Sequence, residues 1–238
     1  RPNTPWTTSN IRLLLDRAAT KRAIKSAIDT FTRRMTNQDV LVVFFSGHGT
    51  YDDDQWPIDE ADGSDEYLCA ADAKLSTGTG LIRDDEFFMW LEPATKKGRV
   101  VVILDACFSG GFAKDPVTGT TIKTMPGKPK VTLKDGFAKD LHNLQNIVVL
   151  TACDEDEVCY ELDELRHGLF SYYVIEALRG VDADANHNDL TSAEEVFEYA
   201  EDKIATNHPG RQTPQMADNY SGGYYEELTI VSKLHSLW

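Results

Sequence analysis

Three runs in this chain, "DVLVVFF" (39–45), "RVVVILD" (99–105) and "NIVVLTA" (146–152), are apolar at almost every position and stop after a few residues. A strand with one face in water alternates apolar and polar residues; a strand covered on both faces does not. The three runs therefore predict buried strands of a mainly parallel sheet, which needs helices on both faces. A fourth run, "NIRLLLD" (10–16), predicts a further strand.

The segments between them predict the helices. In "ATKRAIKSAIDTFTRRM" (19–35), Ile24, Ala27, Ile28, Phe31 and Met35 fall on one helical stripe, with Thr20 as N-cap. "RDDEFFMWLEP" (83–93) predicts a crossover helix with acids at its N-terminus. "GLFSYYVIEALRG" (168–180) predicts a third, stopped by Gly180. "LTSAEEVFEYAEDKIA" (190–205) predicts a fourth, opened by Thr191 and Glu194 at capping-box spacing. Strands alternating with helices make βαβ units, and ligands then bind beyond the carboxyl ends of the strands. At 238 residues and 41% apolar, the chain suits one domain over 1–238.

Charge and cysteine content narrow the partners. A net charge of −15 speaks against a phosphate backbone, so no nucleic acid is expected. No run approaches the ~18 apolar residues of a membrane span, so no membrane is expected either. The opening "RPNTPWTTSN" lacks a signal-peptide pattern. Four cysteines without CxxC spacing argue against a disulfide scaffold or zinc knuckle, and for a reducing compartment. The expected location is cytoplasmic.

Two strand ends carry chemistry. "VLVVFF" runs into "SGHG", which puts His48 just past a carboxyl end, and "VVILDACFSG" puts Cys107 in the equivalent place 59 positions later. A cysteine attacks as thiolate, and a neighbouring histidine takes its proton and returns it to a leaving amine. The backbone N–H groups of Gly49 and Cys107 are candidates for holding an oxyanion. Gly47, Gly110 and Gly111 leave room for a peptide laid across the edge. Taken singly, a buried small hydrophobe for Cys107 and a satisfied polar residue for His48 are the commoner readings. Together, each at a strand end among glycines, they favour catalysis. Asp154, Asp156 and Glu157 follow the last strand and are candidates for flanking the cleft.

"SGHG" followed by "DACFSG" resembles the caspase-like cysteine peptidases, and more closely their metacaspase and bacterial metacaspase-like (orthocaspase) branch. "ATKRAI", "HGLFSYYVIEALRG" and "RQTPQM" extend the similarity over about residues 10–220. Caspases carry Q-A-C-x-G; this chain has Asp at the first place and an extra Ser before the Gly. The resemblance implies the α/β caspase-hemoglobinase sandwich, with a mainly parallel central sheet and helices on both faces. It also implies a Cys107–His48 dyad cleaving proteins or peptides.

Asp105 precedes Cys107 by two residues and so shares its side of the strand. A carboxylate there suits Arg or Lys at P1, and the resemblance likewise implies an S1 pocket lined by Asp105 and Ser46. The alternative for Asp105 is a helix N-cap or turn acid. No arginine stands beside the cysteine, which speaks against cleavage after Asp.

"YDDDQWPIDEADGSDE" (51–66) holds eight acids in sixteen residues, and "RDDE" (83–86) follows. Carboxylates at this density repel one another unless a cation or solvent relieves them, and calcium takes six to eight oxygen ligands. The resemblance implies activating calcium held by Asp84 and Asp85, with Asp62 and Asp65, and with Asp115 completing the site. A solvated acidic loop without metal is the plainer alternative. Counted from Asp182, residues 182–195 match an EF-hand loop at Asp184 and Asn186. They place His187 where Gly belongs and Ala193 where Glu belongs, so a polar turn into a capped helix fits better.

Residues 112–140 hold six lysines and three internal glycines with no strong apolar period, and predict a long mobile loop. The resemblance makes it a processing linker, with self-cleavage at Lys123, Lys130 or Lys134; Pro129 should spoil cleavage after Lys128. An ordinary surface loop is the alternative. Family members begin with a strand and a helix ahead of "NIRLLLD"; the two readings are a trimmed or cleaved product whose missing segment lies on another polypeptide, a partner for this chain, and a sheet that closes differently. A second function reading is a catalytically silent caspase-like module that responds to calcium by binding partners. Retention of both His48 and Cys107 speaks against it.

Overall fold

In the computed structural model, the described residues are 6–53, 55, 63–108, 121–122, 137, 144–154, 157–179, 182–221 and 227–232. The three apolar runs become β1 (Val40–Ser46), β5 (Arg99–Asp105) and β7 (Ile147–Thr151). β1 pairs with β5 and β5 with β7, both in parallel, and β11 (Gln215–Asp218) closes the sheet antiparallel to β7. β5 is central and is covered on both faces. Val100, Val102 and Leu104 pack with α1 (Lys21–Arg34) and α2 (Asp84–Thr95), while Val101 and Ile103 pack with α3 (Leu169–Arg179) and α4 (Ala193–Asn207). Alternate side chains of one uniformly apolar strand thus enter two cores, the arrangement its lack of alternation predicts.

The helices start where chemistry lets them. Thr20 caps α1, its hydroxyl accepting the Ala23 N–H at 3.2 Å. α2 begins right after Arg83, with Asp84, Asp85 and Glu86 in its first turn. α4 opens one residue later than its sequence suggests. Ser192, not Thr191, is the cap, and Glu195, not Glu194, completes the capping box. Thr191 is held in β10 (Leu190–Ser192) by pairing with β12 (Thr229–Ser232), and Glu194 accepts the Leu228 N–H instead. The stretch before it is a polar turn: the Asp184 carboxylate accepts the N–H groups of Asn188 and Asp189.

Two expectations need correction. The run 10–16 forms no strand among the described residues. Ile11, Leu13 and Leu15 are exposed, and a strand requires a ladder partner that the described residues do not provide. The acidic stretch 51–66 is not a loop throughout. Its ends belong to β2 (His48–Asp53) and β3 (Ser64–Lys74), which pair antiparallel and continue into β4 (Thr79–Arg83). Of the segment 112–140, residues 121–122 and 137 are described. β6 (Thr121–Ile122) pairs with β8 (Tyr160–Leu162), which in turn pairs with β9 (His167–Gly168), and Phe137 is buried against Phe108, Phe87 and Phe88.

Candidate active site

β1 and β5 end together, with Ser46 the register partner of Asp105. Beyond that pair, the Gly47 N–H donates to the Asp105 carbonyl at 3.2 Å, which lays the turn after β1 along the turn after β5. Gly49 makes the next approach. A Cβ built on it would lie 2.7 Å from the Cys107 carbonyl oxygen and 2.7 Å from Phe108 Cδ1. Real Cβ atoms essentially never come so close, so glycine is required here. His48 lies between these two contacts on one segment, and Ala106 between Asp105 and Cys107 on the other. Backbone packing alone therefore brings the "SGHG" and "DACFSG" motifs side by side.

His48 opens β2 and is exposed; among the described residues its ring makes no hydrogen bond. Cys107 is buried, and its thiol donates to the Glu157 carbonyl at 3.1 Å. Phe108, the next residue, is fixed by stacking on Phe137 at a centroid distance of 5.1 Å. A disulfide that sequence reasoning did not foresee, Cys153–Cys159, lies against the nucleophile candidate. All three sulfurs fall within 4.8 Å of one another. The sequence signal for it, two cysteines six positions apart, is weak; tertiary placement decides it.

Asp105 is fully buried, and Ser171 supplies both a backbone N–H at 3.2 Å and its hydroxyl to one carboxylate oxygen. Ser171 lies in the first turn of α3, so the carboxylate sits at the positive end of that helix. The Asp105 carboxylate thus faces the first turn of a helix distant in sequence. Ser171 itself reads as helix interior and gave no signal. Gln212, from the "RQTPQM" motif, ties the far side together by donating to the Ala152 carbonyl at 2.6 Å and accepting the Tyr160 N–H at 3.0 Å.

The acids collect at a second place. Asp65 on β3 joins Asp84 and Asp85 at the start of α2, with one carboxylate oxygen from each lying within 4.8 Å of the others. Arg83 bridges two of them, at 3.4 Å to Asp65 and 3.0 Å to Asp85. Asp84 accepts the Glu66 N–H at 3.1 Å. Asp65 Oδ2 takes the N–H of Gln55 and the hydroxyl of Tyr67, whereas buried Oδ1 has no hydrogen-bond partner among the described residues. Burial holds the Asp65 carboxyl above its ordinary pKa against the lowering effect of the Gln55 N–H and Arg83. An all-oxygen donor set with an orphaned buried oxygen fits a hard cation. The β2–β3 ladder links this cluster to His48: Asp65 pairs with Asp52, and Cys69, four residues or about 13 Å along β3, pairs with His48. Asp62, Asp115, Asp156, Gly110, Gly111, Lys123, Lys128, Lys130 and Lys134 lie outside the described residues.

The profile of the family described as "Caspase domain" matches residues 10–222. Metacaspase-1 of Plasmodium falciparum is 30% identical over 162 residues, 65% of this chain and 24% of that protein. Metacaspase-3 of Arabidopsis thaliana is 38% identical over 95 residues, 40% of this chain and 25% of that protein. The matched stretch thus spans about a quarter of these relatives. Among solved structures, a structural-genomics protein from Geobacter sulfurreducens aligns with a TM-score of 0.59 at 20% identity, covering 89% of this chain and 77% of that one. Caspase-1 from Spodoptera frugiperda aligns with a TM-score of 0.50 at 13% identity, covering 85% and 70%. The α/β sandwich with a parallel core is the fold these share.

Proposed function

The chain belongs to the caspase-domain family, and on that premise we propose that it is a cysteine endopeptidase with Cys107 as nucleophile and His48 as base and acid. The observation that carries this is the seating of Gly49 on the Cys107 carbonyl, which sets the histidine loop against the cysteine loop. Cys107, deprotonated by His48, adds to the scissile carbonyl. The N–H groups of Gly49 and Cys107 hold the oxyanion, and the tetrahedral species collapses as His48 gives the proton to the leaving amine. Water, deprotonated by His48, then hydrolyses the thioester. Because the thiol is buried on the Glu157 carbonyl, that contact must open before a peptide is attacked.

Asp105 and Ser46, paired at the strand ends, are assigned to the S1 pocket for Arg or Lys at P1. The buried carboxylate, already held by Ser171, would add a charge-assisted bond to a basic side chain. Asp65, Asp84 and Asp85 would hold activating calcium. Bound there, the ion would supply two positive charges to a carboxylate cluster that Arg83 now bridges. Self-cleavage at Lys123, Lys130 or Lys134 belongs to the same proposal. No helix among the described residues is long and apolar enough to cross a membrane. A cytoplasmic setting is part of the reading, and it makes the Cys153–Cys159 bond one that must be reversible.

The test is hydrolysis of fluorogenic peptides with Arg or Asp at P1, in millimolar calcium and in chelator. Arg-P1 turnover that rises with calcium and vanishes in Cys107→Ala is expected. Asp-P1 preference would overturn the pocket assignment. No turnover from protein shown to be folded by circular dichroism would point to the silent interaction module.

A further inference from the structure

Cys107 has chemical neighbours that peptide hydrolysis does not use. The Cys153–Cys159 disulfide follows β7, and its two sulfurs and that of Cys107 lie within 4.8 Å of one another. All three side chains are buried, so bulky reagents in solvent meet them poorly while an internal thiol is already in place. Two carbonyls sort the sulfurs. The Glu157 carbonyl accepts the Cys107 thiol at 3.1 Å and lies 3.8 Å from Cys153 Sγ. The Ala106 carbonyl lies 3.0 Å from Cys159 Sγ and 4.0 Å from Cys153 Sγ.

We propose that the Cys153–Cys159 disulfide is an exchange partner of the catalytic thiol, storing the nucleophile as a Cys107–Cys153 disulfide. Cys107, as thiolate, attacks Cys153, the sulfur with which it shares the Glu157 carbonyl. The Cys107–Cys153 bond forms as the Cys153–Cys159 bond breaks. Cys159 leaves with the electron pair and takes up the proton that Cys107 gave up, and its new S–H has the Ala106 carbonyl as acceptor. One disulfide and one thiol stand on each side, so no outside oxidant is consumed. The stored form cannot attack a peptide. Attack by Cys159 on Cys153 reverses it, and a dithiol reductant removes both disulfides and leaves Cys107 free. Only the consequence for turnover rests on the peptidase reading.

The full chain is equilibrated in glutathione buffers from reducing to oxidising, quenched in acid, alkylated, digested without reduction and mapped by mass spectrometry. Turnover of an Arg-P1 peptide is followed on the same samples. In oxidising buffers the expected map holds a Cys107–Cys153 link, with Cys159 alkylated, in constant ratio to the Cys153–Cys159 form; turnover falls by the fraction of that link, and dithiothreitol reverses both. The double variant Cys153→Ser, Cys159→Ser is expected to retain in oxidising buffers the part of the turnover that the natural chain loses to the Cys107–Cys153 link. Cys107 alkylated throughout beside an intact Cys153–Cys159 bond would overturn the proposal, as would Cys107 blocked only by glutathione. A Cys107–Cys159 link would overturn the choice of Cys153. The mapping needs no turnover and no variant, so a failed exchange and a failed peptidase give different results.

Discussion

Two cysteines outside the disulfide, Cys69 and Cys107, sit in opposite kinds of surroundings. Cys69 lies directly across the β2–β3 ladder from His48, where opposed Cβ atoms are about 5 Å apart. It is fixed mid-strand, and burial pushes its thiol up to about 12, so it stays protonated at any ordinary pH. Cys107 lies past the end of β5, against a glycine loop and at the edge where a parallel sheet presents its ligands. Both lie beside the histidine segment, Cys69 as the ladder partner of His48 and Cys107 with its carbonyl against Gly49. What separates them is the place on the sheet: a ladder residue is committed to its neighbours, and a strand-end residue lies at the edge a substrate reaches once the Glu157 contact opens.

Substitutions can break this contrast. The largest expected effect is from Cys107→Ala, with Arg-P1 turnover down by at least ~10⁴-fold, as for loss of other catalytic nucleophiles. Gly49→Ala comes next. Its methyl would press on the Cys107 carbonyl, and a displacement near 1 Å costs about 10²-fold in kcat/KM. Asp105→Asn should lower Arg-P1 kcat/KM by roughly 10- to 100-fold, the worth of one charge-assisted bond, with a smaller loss for neutral P1 peptides.

Asp65→Asn sharpens the comparison from the other cluster. Burial makes the folded protein hold the Asp65 proton more tightly than the unfolded chain does. The stability it contributes therefore falls as pH rises from the usual carboxylate range through the raised value. In chelator at pH 7 the variant should melt about 1–4 °C above the natural chain, by differential scanning fluorimetry. The natural chain should gain roughly 5–10 °C at calcium a hundredfold above Kd, and the variant should lose most of that gain. The smallest effect belongs to Cys69→Ala, with turnover within about twofold of the natural chain, since a protonated thiol contributes no nucleophile.

Much of this architecture is legible in the sequence. The uniform runs at 99–105 and 146–152 announce strands buried on both faces, and strand ends followed by "SGHG" and "DACFSG" announce the edge. Other features depended on partners distant in sequence. The cap of α4 moved by one residue because β12 fixes Thr191 and Leu228 draws Glu194 away, while the local sequence offers two equivalent Ser/Thr–Glu pairs. The β2–β3 hairpin was hidden because its acids read as a solvated loop, although Asp65 and Glu66 are buried. Ser171 and the Cys153–Cys159 bond leave almost no local trace, since each owes its role to the end of β5, more than forty positions away.

The measurement that separates the two cysteines most directly is mass spectrometry of the protein after treatment with a peptidyl-arginine chloromethyl ketone. The account predicts one adduct, on Cys107, competed by an Arg-P1 substrate. An adduct on Cys69, or modification of Cys107 that substrate does not slow, would contradict it.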